Sequence, residues 1–530
     1  MQFVDHAKRG DARLALLAGG FFAGLAILLA GLWYIQIVSS QKYTNSLKEQ
    51  SFRMLRVPGA RGRIFDRDGA VLADNQPRFN VNLYLEDIRH LFAYEYTNAV
   101  KKEFFAEHNR YPRGVEVLEQ SKIARYRVVS NIVWQVSSSL LPVPLGLNPW
   151  AFERHYNERR AMPMPVVVGM DQEQVARFLE NSYDLPGIVL EVEPVRSYPH
   201  GSLAAHAIGY VQTQRGQVLD DELDFNFHLN LPNFRGVAGL ENGFDEELSG
   251  QAGAKAILVN NVGYRENEET WVEPEPGKNM VLTLDLEIQQ AAERALAASG
   301  PDTRGAVVVL DTRNGDLLAV ASAPAYDLNM FVQRERFNRA DWDRLEDDVL
   351  TPQYNRALQG AYHPGSTFKI IVALAAFEAG VTDLDRKVHH PGYFMIGRRP
   401  IKDENAPVGD WAFKEAFKRS ANTYFIQVGL DAGADRLIEM GSRFNLGEKT
   451  GVVRPGLETS GYFPPVGERK RSDGGRWTMW DTASLCIGQG DITVTPLQMA
   501  LVTAAVANGG NLLRPRLVMQ LEEPGPLGAV

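Results

Sequence analysis

Ser366 and Lys369 stand three residues apart in the run AYHPGSTFKIIVALAAFEAG, residues 361–380. Pro364 and Gly365 break the chain before them. The body that follows is Ile, Val, Leu, Ala and Phe, and Gly380 is a good helix stop. The run reads as a buried helix opened by Ser366, with Ser366 and Lys369 on one face of its first turn. A serine hydroxyl is a poor nucleophile until a base takes its proton. A lysine in an apolar site loses its preference for the charged form and becomes such a base. The positive end of the helix also favours the developing alkoxide. Ordinary composition yields about one Ser-x-x-Lys by chance in a chain this long. The Pro-Gly break and the apolar helix therefore carry the weight of the reading.

A second pair of oxygen-bearing side chains lies in WAFKEAFKRSANTYFIQVGLDAG, residues 411–433. One helical pattern ends near Arg419 and another starts after Asn422. Alone, Ser420 and Asn422 could be a helix cap. Beside Ser366 and Lys369, Ser420 can relay a proton toward a leaving amine. Asn422 can bond Lys369 and a substrate amide.

The elements that must position these residues form an α+β chain. NMVLTLD, from Asn279, is a strand, and LEIQQAAERALAAS has helical spacing. GAVVVLD and GDLLAVAS are joined through Arg313-Asn314-Gly315, a hairpin signal. Strand, helix, hairpin and then a helical block predict an antiparallel sheet beside a central apolar helix. A boundary is expected near Glu273-Pro274-Glu275-Pro276-Gly277. Residues 80–275 mix short strands and helices and carry no nucleophile or metal signature. Arg61 to Asn75 reads as a hairpin turning at Asp68-Gly69. Residues 41–60 read as a polar helical extension of what precedes them.

What precedes them is apolar. No charged residue occurs from Leu14 to Val38, a stretch long enough to cross a bilayer as a helix and longer than the core of a cleaved leader. Trp33 and Tyr34 suit a membrane interface. Lys8, Arg9 and Arg13 precede the span, and Lys42, Lys48, Arg53 and Arg56 follow it, so charge leaves the orientation open. The chain of 530 residues is 45% hydrophobic and 23% charged, which fits globular domains. Its net charge of −9 argues against nucleic acid as a partner, since no basic surplus exists to neutralise phosphates. Its single cysteine, Cys486, excludes an intrachain disulfide and reads as a core residue.

HPGSTFK together with SANTYF resembles the penicillin-binding proteins, whose signature is S-x-x-K, S-x-N and K-T-G. RGRIFDRDG and RGVAGLENGFDEELSG resemble the N-terminal pedestal of the class B, monofunctional members. APAYDLN (323–329) and IGQGDITVTPLQMA (487–500) resemble their transpeptidase domain, and YNRALQGAYHPGSTFK is most similar to the elongation type, penicillin-binding protein 2. The resemblance covers nearly the whole chain. It implies a cytoplasmic tail (1–13), a transmembrane helix (14–38), a pedestal (39–276) and a serine-acyltransferase domain (277–530). It implies a peptidoglycan D,D-transpeptidase acting in cell elongation on stem peptides ending in D-Ala-D-Ala. Ser366, Lys369, Ser420 and Asn422 would be catalytic, and Gly488, Gln489 and Gly490 substrate-binding. β-Lactams would acylate Ser366, and no cofactor is implied. A SEDS-type glycosyltransferase and other elongation proteins are the implied partners. The span would lie in the bacterial inner membrane with the catalytic part outside the cytoplasm.

Lys449-Thr450-Gly451 has the letters of the third motif, but it follows a helix stop at Gly447 and runs into Pro455-Gly456, the context of a loop. No second Lys-Ser/Thr-Gly follows the TPLQMA helix, so the domain reads as C-terminally incomplete. The alternative reading is therefore a catalytically incomplete scaffold that activates a glycosyltransferase. His389, His390, Asp403 and Asp410 fit no standard zinc spacing, and His363 is expected in a loop near the site.

Overall fold

The computed structural model describes residues 12–34, 52–181, 185–214, 227–403, 407–452, 457–468 and 470–524. The expected tail before residue 12 and most of the expected helical extension lie outside these residues. Helix α1 (Ala12–Trp33) is long and apolar enough to cross a membrane, and its side chains from Leu16 onward are exposed.

Strand β1 (Phe52–Val57) corrects the expected helical extension where that expectation reaches described residues. The segment FRMLRV pairs with a later strand, Phe52 facing Leu258 and Val57 facing Gly253. Met54 packs on Ala254 and Ala256, whereas Leu55 packs with Ile257, Val259 and Ala161. Both faces of the strand are covered, so no alternation betrays it in the sequence.

The hairpin at Asp68-Gly69 forms as expected. β2 (Ile64–Phe65) and β3 (Val71–Leu83) pair antiparallel. Asp66 Oδ1 accepts from the amides of Asp68 and Ala70, and Gly69 takes φ +89°. β3 then carries β4 (Met164–Met170) and β5 (Ile188–Ser197). β6 (Leu229–Asn230), β7 (Gly253–Val259) and β8 (Arg265–Val272) build a four-stranded sheet of order β8-β7-β1-β6.

β9 (Asn279–Leu282) pairs in parallel with β2, Met280 facing Ile64. On its other side it pairs with β16 (Val518–Glu522). One sheet of order β16-β9-β2-β3-β4 thus joins the early hairpin to the late chain. The core beneath it runs from Ile64 and Leu72 to Leu501 and Leu517. A buried ion cluster joins Arg61, just before β2, to Arg196 near the end of β5 through Glu241. Glu241 takes Arg61 Nε at 2.6 Å and Arg196 Nε at 2.7 Å, and it also accepts from the Tyr198 hydroxyl. Against burial, Arg196 and Arg61 hold the Glu241 carboxyl below its usual range.

Helix α2 (Leu286–Ala297) is capped by Asp285 and lies on the hairpin of β10 (Gly305–Leu310) and β11 (Leu317–Ala323). Gly315 turns that hairpin at φ +85°. A second core surrounds α3 (Lys369–Glu378), which buries Ile371, Val372, Ala375 and Ala376. Between α3 and the next core helix lies an outer ribbon of short strands: β12 (Val388–His390), β13 (Tyr393–Ile396), β14 (Arg399–Lys402) and β15 (Gly409–Trp411). Helices α4 (Phe413–Lys418) and α5 (Asn422–Ala432) follow. A Cβ on Gly429 of α5 would meet Cys486 Sγ at 2.2 Å, so the glycine allows the close approach. Cys486 is a core residue, as read, and burial pushes its thiol up. Helix α6 (Pro496–Ala507) opens with a Thr495–Gln498 capping box and Pro at its start.

Candidate active site

Pro364 and Gly365 set the first turn of the nucleophile segment. That turn, Gly365–Phe368, is a 3₁₀ helix, and the α-helix begins at Lys369 instead of Ser366. Gly365 adopts φ +57°, and its amide donates to the Gly488 carbonyl at 2.9 Å. In a 3₁₀ turn, side chains at i and i+3 eclipse. Ser366 is exposed at the mouth, while Lys369 on the same face is only 2% exposed.

The Lys369 ammonium uses three acceptors. Nζ lies 2.7 Å from the Ser420 carbonyl, 3.0 Å from Ser420 Oγ and 2.6 Å from Asn422 Oδ1. Ser420 Oγ in turn donates to Ser366 Oγ at 2.8 Å. The sequence places Ser366 and Lys369 as neighbours, but the hydrogen bonds connect them through Ser420. Burial lowers the Lys369 pKa to about 8, with the negative charge of Asp403 opposing the fall. The Phe425 ring stands 5.5 Å from Nζ.

Ser420 is itself held in an unusual conformation. Its φ is +53°, in the left-handed region that a non-glycine residue rarely occupies. The strain turns the chain sharply from α4 into α5. It aims both the Ser420 carbonyl and the Ser420 hydroxyl at Lys369, with Asn422 at the first position of α5. Sequence spacing predicts that a break falls here, but not this backbone conformation.

The Gly488–Gly490 segment backs the nucleophile. Gly488 has φ +66°, and a Cβ there would meet the Gly365 carbonyl oxygen at 2.0 Å. Gly490 has φ +84°, and the Gln489 amide donates to the Ser484 carbonyl at 2.9 Å. Tyr362 and Val494 exchange backbone bonds of 2.9 and 2.8 Å, and His363 Nδ1 lies 2.7 Å from the Ile492 carbonyl. These contacts lock the loop before Ser366 against residues 488–494.

Thr450 and Gly451 lie in a loop, as read. Thr450 N and Oγ1 and Gly451 N donate to the Glu458 carboxylate at 3.1, 2.7 and 2.7 Å, so this Lys-Thr-Gly spends its donors locally. The two histidines separate. His389 pairs with Asp410 at 2.7 Å on the surface, and His390 pairs with Asp403 at 2.8 Å in the interior. Among the described residues, no three His, Cys, Asp or Glu side chains are grouped to hold a metal ion.

An exposed serine, linked through a second serine to a buried lysine, is an arrangement able to form and transfer an acyl group. Comparison with known proteins gives the same class. Residues 305–527 match the penicillin-binding protein transpeptidase domain, and residues 56–282 match the penicillin-binding protein dimerisation domain. Peptidoglycan D,D-transpeptidase MrdA of Escherichia coli K12 is 31% identical, covering 99% of this chain and 75% of its own. The protein of the same name from Acinetobacter baumannii is 28% identical, covering 96% of this chain and 69% of its own. Penicillin-binding protein 2 of Helicobacter pylori, solved in complex with MreC, superposes with a TM-score of 0.66 at 24% identity, covering 90% of this chain and 81% of that one. The chain belongs to the penicillin-binding proteins of the peptidoglycan D,D-transpeptidase MrdA family.

Proposed function

We propose that this protein cross-links peptidoglycan stem peptides through an acyl-enzyme on Ser366. The observation that carries the reading is the chain of bonds from Ser366 Oγ to Ser420 Oγ to Lys369 Nζ. With Lys369 neutral, the Ser366 proton passes through Ser420 to Nζ as Oγ attacks the penultimate carbonyl of a D-Ala-D-Ala terminus. The Oγ–C bond forms, the peptide C–N bond breaks, and the proton passes on to the departing D-Ala amine. An amine of a neighbouring stem then attacks the ester and Ser366 recovers its proton. Asn422, bonded to Lys369, holds the substrate amide. Gly488, Gln489 and Gly490 line the approach beside Gly365. A β-lactam acylates the same serine, because its ring amide stands in for the scissile bond.

The pedestal, 39–276, and the transpeptidase domain, 277–530, follow α1, which anchors the chain as a single pass in the inner membrane. The substrate lies outside the cytoplasm, so the catalytic part does as well. The elongation machinery supplies the partners, a SEDS-type glycosyltransferase among them. Solved relatives support this, one in complex with MreC and another in a peptidoglycan synthase complex.

The test is labelling of the purified chain by a fluorescent penicillin. Wild type is expected to take label and Ser366→Ala none. A wild type that stays unlabelled at concentrations saturating an Escherichia coli relative would refute the proposal.

A further inference from the structure

Asp403 follows β14 and its side chain is fully buried. One oxygen, Oδ2, takes two donors: the Thr423 amide at 2.7 Å and His390 Nε2 at 2.8 Å. The Gly392 amide donates to His390 Nδ1 at 3.2 Å, so the neutral ring carries its proton on Nε2 and gives it to Asp403. The Asp403 amide returns a bond to the Gly392 carbonyl at 3.0 Å. Asp403 is thus gripped from both backbone and side chain.

Thr423 is the second residue of α5, and its amide is one of the donors that a helix start leaves unpaired. The N-cap residue is Ala421, whose methyl group accepts nothing. Asp403, 20 residues upstream, supplies the missing cap and places a negative charge at the positive end of the helix. On one side of Thr423 is Asn422, the acceptor of Lys369. Ser420, left-handed and bonded to both Lys369 and Ser366, is three residues back. The cap therefore fixes the turn that presents both groups.

Two further observations set this carboxylate apart from an ordinary cap. Among the described residues, Asp403 Oδ1 and Thr423 Oγ1 are buried with no hydrogen-bond partner. Asp403 is also the charged group whose field acts on Lys369. The other groups facing that amine are Ser420, Asn422 and the Phe425 ring, with His390 behind Asp403.

We propose that Asp403 is a positioning residue of the acyl-transfer centre: it caps the helix that presents Ser420 and Asn422 to Lys369, and through that placement and its charge it tunes the base. The proposal rests on the assignment of Ser366 and Lys369 above. Its test is the rate of acylation by a fluorescent penicillin as a function of pH, on the full chain in detergent. Asp403→Asn keeps an acceptor for Thr423 but loses the charge, so its rate–pH limb moves to lower pH while the plateau stays close to wild type. Asp403→Ala loses both, and its plateau falls on the order of 10²-fold, the cost of a misplaced reacting group. His389→Gln, in the exposed pair with Asp410, leaves limb and plateau unchanged. An unmoved limb in Asp403→Asn overturns the proposal, and that variant decides the matter even if Asp403→Ala does not fold. A wild type without label at any pH would instead sink the Ser366 assignment, a distinguishable failure.

Discussion

In the proposed reaction Lys369 must serve as a base while bonded to three oxygens, and its depressed pKa reconciles the two demands. At pH near 7 it is mostly a cation that orders Ser420 and Asn422. Through a pKa of about 8 it releases its proton and can accept that of Ser366. The acylation rate is therefore expected to rise with pH through about 8, measurable by stopped-time labelling in buffers spanning that value. The same shift links to stability. The folded state binds fewer protons than the unfolded one between about 8 and the free lysine value, so Lys369 contributes stability that increases with pH in that window. Lys369→Ala is expected to cost about 10²–10⁴ in acylation rate. Lys449→Ala is expected to leave that rate unchanged, because Lys449 sits in the loop closed on Glu458. Equal losses in both variants would contradict the division of roles. The grouping at this scale was legible, since residue type and spacing single out Ser366, Lys369, Ser420 and Asn422, which the hydrogen bonds bring together. The relay order was not, because the left-handed Ser420 that creates it belongs to the backbone. Asp403 stayed hidden for a related reason. It lies 20 residues from the amide it caps, and nothing local marks it.

Among the elements, the ones carrying strong local signals formed as read. The α3 helix has its Pro-Gly break and Gly380 stop, the TPLQMA run forms α6, and the β10–β11 hairpin has Asn-Gly. β1 failed because its partner is some 200 residues away and both its faces are covered, which erases periodicity. The start of α3 failed by one turn, since Gly365 at positive φ favours a tight 3₁₀ entry. Two glycines test these packings. Gly488→Ala drives a methyl into the Gly365 carbonyl, so acylation is expected to slow by more than about tenfold, as a displaced nucleophile would. Gly429→Ala drives one into Cys486 and is expected to cost about 1–3 kcal/mol of stability in chemical denaturation. Unaltered labelling in the first variant would remove residues 488–490 from the support of Ser366.

At the scale of the whole molecule, the pedestal and the catalytic part are not simply strung together. β9 inserts between β2 and β16, and the Arg61–Glu241–Arg196 cluster ties the chain before β2 to the end of β5. Glu241→Ala would leave two buried guanidinium groups without their shared carboxylate. The expected loss is about 3–5 kcal/mol, read from the midpoint of thermal or urea unfolding. A change well under 1 kcal/mol would mean that the cluster does not brace the β2–β5 region. This coupling was invisible in the sequence, where RGRIFDRDG and GLENGFDEELSG are far apart and each reads as a local motif. The apolar span and the broad α+β order were visible, because composition and periodicity report burial directly.

In the proposed reaction everything turns on Ser366 accepting the acyl group. Peptide mapping by mass spectrometry after incubation with benzylpenicillin tests it most directly. A penicilloyl adduct is expected on the peptide that contains Ser366, absent in Ser366→Ala and strongly reduced in Lys369→Ala. An adduct on any other residue, or one that persists in Ser366→Ala, would contradict it.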